Sequence, residues 1–269
     1  MIAIGGVGGS GTRAVSDIFS HLGYFMGYDL NGSNDTLLFT LLFKRENILV
    51  VTSDEFDFCW RIFKKIMSTK EVLTNSEFDY LNKLADEDRT LHSKEWLKER
   101  LNFLQSREEI SLWGFKEPNS HIVIEKIIQK EKDIKFVYVY RHGLDMAYSS
   151  NQNQLKLWGS IFFNNKNIQI NPANSLKYWC IVHKRMKSLK ERYMDKIYML
   201  DFDKLCIDRE SVLEDMFNFL KVDKKNIEKS ATLINAPSSI GRYKNKDINQ
   251  FYKDDIEYVK NIYNDLEII

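Results

Sequence analysis

The stretch that decides the fold is the first one, Met1–Val15, MIAIGGVGGSGTRAV. Five glycines fall between Gly5 and Gly11, directly after a short apolar run, and Arg13 closes the set. An apolar run, a glycine loop and then helical residues predict a strand, a turn and a helix. That junction aims unpaired backbone N–H groups at whatever lies before the helix, which makes it a natural anion seat.

Three readings compete for this loop. Gly6–Gly11, GVGGSG, satisfies the dinucleotide pattern GxGxxG, with Asp29 18 residues beyond Gly11 as the ribose acid. That reading needs a second strand ending at Asp29. The nucleoside-triphosphate pattern GxxxxGK[ST] nearly fits from Gly6 to Gly11, but Thr12 replaces the lysine and Arg13 the metal-binding hydroxyl. The third reading puts the weight on Ser10-Gly11-Thr12-Arg13. Two hydroxyls, backbone N–H groups and one fixed charge would seat a terminal phosphate without a metal.

Outward from the loop, four β-type runs stand out: Met1–Ile4, Ser111–Phe115, Ile134–Tyr140 and Lys196–Asp201. Helical patterns separate them, as in βαβ units around a parallel sheet. Helices are expected at Thr12–Leu22 and Asp35–Lys44. A charged helical insertion is expected over Phe56–Ser106, with a capping box at Thr74–Glu77. Asn171-Pro172 should open a long helix reaching about Arg192. The fold class expected is three-layer α/β/α, a single domain around a central, mostly parallel sheet.

Composition narrows the function. The 269 residues carry 39 basic and 38 acidic side chains, a net charge of +1, so general nucleic-acid binding is not expected. Hydrophobic residues make up 43% of the chain, enough for a sizeable core. Cys59, Cys180 and Cys206 lie far apart and read as buried free thiols, neither a disulfide framework nor a zinc site. The most apolar stretch, TLLFTLLF from Thr36, is eight residues, too short for a membrane span. With no signal-peptide pattern at the start, the expectation is a cytoplasmic protein.

A second constellation follows the strongest strand. Arg141 stands at its carboxyl end, where open α/β sheets bind ligands, and Ser149 follows eight positions later in RHGLDMAYSSNQ. Arginine plus hydroxyl suits a second phosphate. Together, S-G-T-R after the first strand and V-Y-R-x-G-x-D-M-A-x-S-S-N after a later one resemble the two nucleotide-binding segments of the sulfotransferase family. WGFKEPN at Trp113–Asn119, APSSIGRYKN at Ala236–Asn245 and LNGSND at Leu30–Asp35 extend the resemblance from Ile2 to about Asn245.

The resemblance implies a P-loop NTPase-like fold and 3′-phosphoadenosine 5′-phosphosulfate, PAPS, as co-substrate, with no metal. It implies that Gly9, Ser10, Gly11, Thr12 and Arg13 hold the 5′-phosphosulfate end. Arg141, Ser149, Gly241 and Arg242 would hold the 3′-phosphate. Many members carry a basic residue immediately before S-G-T, where this chain has Gly9, so Arg13 or Lys116 must supply that charge. The acceptor would be a small molecule or glycan. Asp35 and Glu117 are the candidate bases, with His121 and His142 as further possibilities.

Overall fold

The computed structural model describes residues 1–104 and 109–263. Gln105 and Ser106, at the end of the expected insertion, lie outside the described residues. Four strands form one sheet in the order β2-β1-β3-β4, a mostly parallel α/β arrangement. The chain divides into two compact units. One holds Met1–Gly5 and Val15–Val137, the other Gly6–Ala14 and Tyr138–Ile269.

The first unit contains most of β1 (Ile2–Gly6) and of α1 (Thr12–His21), then α2 (Leu37–Phe43), α3 (Ser53–Ser68), α4 (Asn75–Ala85) and α5 (Lys94–Glu99). β2 (Gly114–Lys116), α6 (Ile124–Lys130) and the start of β3 (Lys135–Tyr140) complete it. α1 closes on Gly23: Gly23 N donates to Ser20 O and Tyr24 N to Phe19 O. This is the Schellman pattern, completed by an edge-to-face contact of Phe19 and Tyr24 at 5.4 Å. The capping box at Thr74 forms as expected, with Thr74 and Glu77 each accepting the other's backbone N–H.

β1 and β2 pair in parallel, with Ile2 opposite Gly114, Ala3 opposite Phe115 and Ile4 opposite Lys116. β2 is shorter than the expected Ser111–Phe115, and it ends one residue later. Leu112 and Gly114 spend backbone groups on Phe25 instead, an isolated parallel bridge that the sequence pattern did not show. β1 runs two residues further than expected, through Gly5 and Gly6. α2 starts at Leu37, not Asp35, because Thr36 N donates to Lys116 O and holds the chain extended. Phe39 of α2 stacks on Phe115 at 5.0 Å, with Phe63 and Trp60 closing the aromatic core.

The second unit carries the Gly6–Ala14 loop and the end of β3. It continues with α7 (Gly143–Ala147), α8 (Asn153–Phe162), α9 (Pro172–Arg192), β4 (Ile197–Asp201), α10 (Phe202–Ile207), α11 (Arg209–Leu220), α12 (Ile227–Ala231) and α13 (Lys253–Ile262). α9 opens as expected, Asn171 accepting from Asn174 N and Pro172 sitting at the first helical position. α7 and α13 pack on α9 through Leu144, Met146, Trp179 and Val259. The three cysteines are free and buried. Among the described residues no helix is long and apolar enough to cross a membrane.

His183 is buried between Trp179, stacked at 4.9 Å, and the Tyr258 hydroxyl, 2.9 Å from Nδ1. Burial lowers its pKa from 6.5 to about 4. Between those values the unfolded chain binds a proton that the native ring does not, so stability is lost as pH falls through that window. The stability of wild type minus that of His183→Phe should therefore shrink by about 1.4 kcal/mol per pH unit from pH 6.5 to 4. Urea titrations across that range measure it, and a constant difference would mean that the native ring charges freely.

Candidate functional site

In the second unit, the loop after β1 is shaped by two left-handed glycines, Gly9 at φ +93° and Gly11 at φ +95°. Side-chain-bearing residues rarely adopt that region. A Cβ at Gly11 would also sit 2.5 Å from the Phe202 ring, the first residue of α10. A Cβ at Gly9 would lie 3.3 Å from Ser149 Oγ. The missing basic side chain at Gly9 thus has a local cause, since the backbone there selects glycine. Gln154 Nε2 donates to Gly6 O and Ser10 N to Val7 O, which pins the start of the loop. Ser10 and Thr12 are buried, while Gly9 and Arg13 are exposed. Ser10 Oγ is buried with no hydrogen-bond partner among the described residues.

Arg141, 3% exposed, follows the last residue of β3. Its Nε donates to Asp203 Oδ1 at 3.1 Å and its Nη1 to Ser239 Oγ at 3.1 Å. Asp203 Oδ2 also accepts His142 N at 2.7 Å, so one carboxylate fixes the chain direction and the guanidinium together. Nη2 has no hydrogen-bond partner among the described residues; the nearest carboxylate oxygen, Asp145 Oδ2, is 3.8 Å away. A buried donor left unpaired is costly and marks a place where a ligand oxygen would be favourable.

Ser149, eight positions after Arg141, does not lie on the helix that opens at Gly143. α7 ends at Ala147, and Ser149 lies in the turn beyond it, with its N–H on Met146 O. That turn brings its hydroxyl against Gly9. The late loop joins the same neighbourhood. Gly241 N donates to Asp145 Oδ2 at 2.7 Å and Tyr243 N to Asp145 Oδ1 at 3.2 Å. The Gly241 amide is therefore spent within the protein. Arg242 donates from Nη1 to Tyr148 O and from Nε to Ser239 O. Burial and then the neighbouring Arg141 charge lower the Arg242 pKa, so the two cations repel in a partly dry setting. A dianion between them would relieve that repulsion.

In the first unit, Asp35 and Lys116 meet. Thr36 Oγ1 accepts Lys116 N at 3.0 Å while Thr36 N donates to Lys116 O at 2.6 Å, so the residue before Thr36 is held beside the lysine. Lys116 Nζ donates to Asp35 Oδ1 at 2.5 Å and to Ser33 O at 2.7 Å. Asn31 Nδ2 donates to Asp35 Oδ2 at 2.9 Å, and Asn31 Oδ1 accepts from Ser33 N and Asp35 N. Asp35 does not cap α2; Thr36 occupies that position.

Glu117 is buried and occupied: Oε2 accepts Asn119 N, Oε1 accepts Asn119 Nδ2 and lies 3.3 Å from Lys44 Nζ. Burial raises its pKa, against the pull of Lys44. His142 lies between Tyr243, stacked at 4.5 Å, and Tyr263 at 4.7 Å. Burial takes its pKa down to about 4, so it reads as a packing residue. His121 is buried in the turn Pro118–Ile122. Asp29, which the dinucleotide reading needs free at a strand end, pairs with Arg100 at 2.8 Å and follows no strand. Asn31, Asp203, Ser239, Gln154 and Phe202 were not singled out from the sequence. Ser239, inside the quoted late segment, and Asn31, inside LNGSND, at least lay in stretches that carried a signal.

The family model described as "Sulfotransferase family" matches residues 2–226. Among solved structures, the sulfotransferase domain from the Synechococcus PCC 7002 olefin synthase is similar, with TM-score 0.52 and 15% identity over 98% of this chain and 94% of that one. The sulfotransferase domain from the curacin biosynthetic pathway is similar too, with TM-score 0.51 and 11% identity over 98% and 97%. At such identities these two show a shared fold. No curated protein matches in sequence.

The positive φ at Gly9 has a measurable cost for any side chain. Gly9→Ala and Gly9→Lys should each destabilise the protein by about 1–2 kcal/mol, read from urea midpoints at constant m. Equal or greater stability in Gly9→Lys would show that the loop accepts the basic residue.

Proposed function

We propose that this chain, which belongs to the sulfotransferase family, transfers a sulfuryl group from PAPS to a hydroxyl or amine of a carbohydrate or small-molecule acceptor. The observation that carries the reading is the pair of buried, unspent donors in the second unit, Ser10 Oγ and Arg141 Nη2. They lie in the two segments that a nucleotide with separated anionic ends requires. PAPS, when bound, supplies the activated sulfuryl group.

The chain's own residues then divide the work. The amides of Gly9, Gly11 and Thr12, the hydroxyls of Ser10 and Thr12, and Arg13 hold the 5′ end and meet charge on the leaving oxygen, while the Ser10 amide is spent on Val7 O. Arg141, Ser149 and Arg242 hold the 3′-phosphate; Gly241 serves by its fold, since Asp145 takes its amide. Asp35 accepts the acceptor's proton, and Asn31 fixes its Oδ2. Lys116 holds the other oxygen of Asp35 and keeps the carboxylate oriented. Glu117 anchors the turn after β2 and leaves the base to Asp35. No step needs a metal. The same reading puts the enzyme in the cytoplasm, in keeping with three unpaired thiols.

Binding tests the donor half. At 100 times its dissociation constant, 3′,5′-ADP should stabilise the protein by about 2.7 kcal/mol and raise Tm, whereas 5′-AMP, ATP and NAD at that same concentration should not. Arg141→Ala should abolish most of the shift. A rise with NAD and none with the bisphosphate would overturn the reading. Transfer of labelled sulfate to a panel of glycans and phenols tests the chemistry. There Asp35→Asn should lower kcat by about 100-fold or more, and undiminished activity would remove Asp35 as the base.

A further inference from the structure

We infer that Asp145 is a positioning residue that latches the Ser239–Tyr243 loop onto Arg141 and so creates selectivity for a 3′-phosphate. The inference rests on the PAPS reading above. Asp145 lies in α7 and is 1% exposed, yet it is a carboxylate. Burying that charge is unfavourable unless its oxygens are used. Each oxygen is used by the late loop: Oδ2 accepts Gly241 N and Oδ1 accepts Tyr243 N, 96 and 98 positions away.

The same carboxylate stands 3.8 Å from Arg141 Nη2, close enough to attract and too far to hydrogen-bond. Arg141 Nη1 meanwhile reaches Ser239 on that loop, at 3.1 Å. The guanidinium and the loop are therefore held in one frame, with Nη2 kept aimed and unspent. Arg242, between the two latched amides in sequence, is carried into place with them. Asp145 also offsets the repulsion between Arg141 and Arg242, a pairing that a neutral residue could not balance.

Because both latched amides are spent on Asp145, they are not the phosphate's donors. The side chains of Arg141, Arg242 and Ser149 must be. Asp145 thus acts through others and touches no ligand. This predicts a defect confined to the end of the nucleotide that carries the 3′-phosphate.

The test is Asp145→Asn, with calorimetric titration of 3′,5′-ADP and of 5′-AMP into the full chain, beside Ser239→Ala. Wild type should prefer the bisphosphate. Asp145→Asn should lower that preference at least tenfold while 5′-AMP affinity stays within twofold. Ser239→Ala should lower it by a smaller factor in the same direction. With an acceptor, the KM for PAPS should rise in Asp145→Asn and kcat should hold. A variant that weakens both nucleotides equally, or neither, overturns the inference. Should Asp145→Asn fold poorly, the Ser239→Ala preference decides by the same criterion. Amide exchange on the protein without nucleotide separates the latch from the PAPS reading. Gly241 and Tyr243 should exchange faster in Asp145→Asn even if wild type binds no bisphosphate, and unchanged exchange there refutes the latch.

Discussion

The left-handed turn at Gly9 and Gly11 is the constraint on which the junction of β1 and α1 depends. A chain leaving a strand must reverse tightly to begin a helix on the next residue, and here it does so through two positive-φ positions. The close approach of Phe202 beneath Gly11 follows from the same turn, as does the contact of Ser149 with Gly9. With side chains at either position, the loop would be strained by its positive φ and, at Gly11, by Phe202. The cost of glycine there is entropic, since glycines surrender more freedom on folding than other residues. The buried glutamine bond from Gln154 to Gly6 helps to offset it.

Charge in the second unit is arranged as deliberately as backbone. Arg141 is set against Asp203 and Asp145 at unequal distances, one hydrogen-bonded and one not. The first contact fixes the guanidinium; the second leaves part of it unused. In the first unit the arrangement is tighter. Asp35 and Lys116 satisfy each other, and the surrounding amide of Asn31 completes the carboxylate. Such a pair holds its geometry firmly.

Much of this was legible in the chain itself. The glycine loop, the strand runs, the capping box at Thr74 and the Asn171-Pro172 helix start are local signals, set by neighbours a few residues apart. Arg141 at a strand end was legible because β3 is so strongly apolar. The rest depends on contacts across long separations. Lys116 lies 81 positions from Asp35, and its nearer neighbour in sequence, Glu117, turns instead to Lys44. Asp203 sits 62 positions after Arg141. That Ser149 falls in a turn was not legible, because α7 is only five residues long, a length that periodicity cannot resolve. No local pattern distinguishes a carboxylate that binds a guanidinium from one that faces water.

The burial of α2 carries a consequence for how the protein is made. All seven residues of LLFTLLF are buried, so this helix has no solvent face. Its stacking partner Phe115 emerges 76 positions after Phe39. At ~5–20 residues per second of synthesis, the segment waits roughly 4–15 s for that ring. Phe56, Trp60 and Phe63 of α3 emerge sooner and can cover part of α2, but the face that meets Phe115 stays open through that interval. The speed of translation over residues 44–113 therefore sets how long that face waits for its ring.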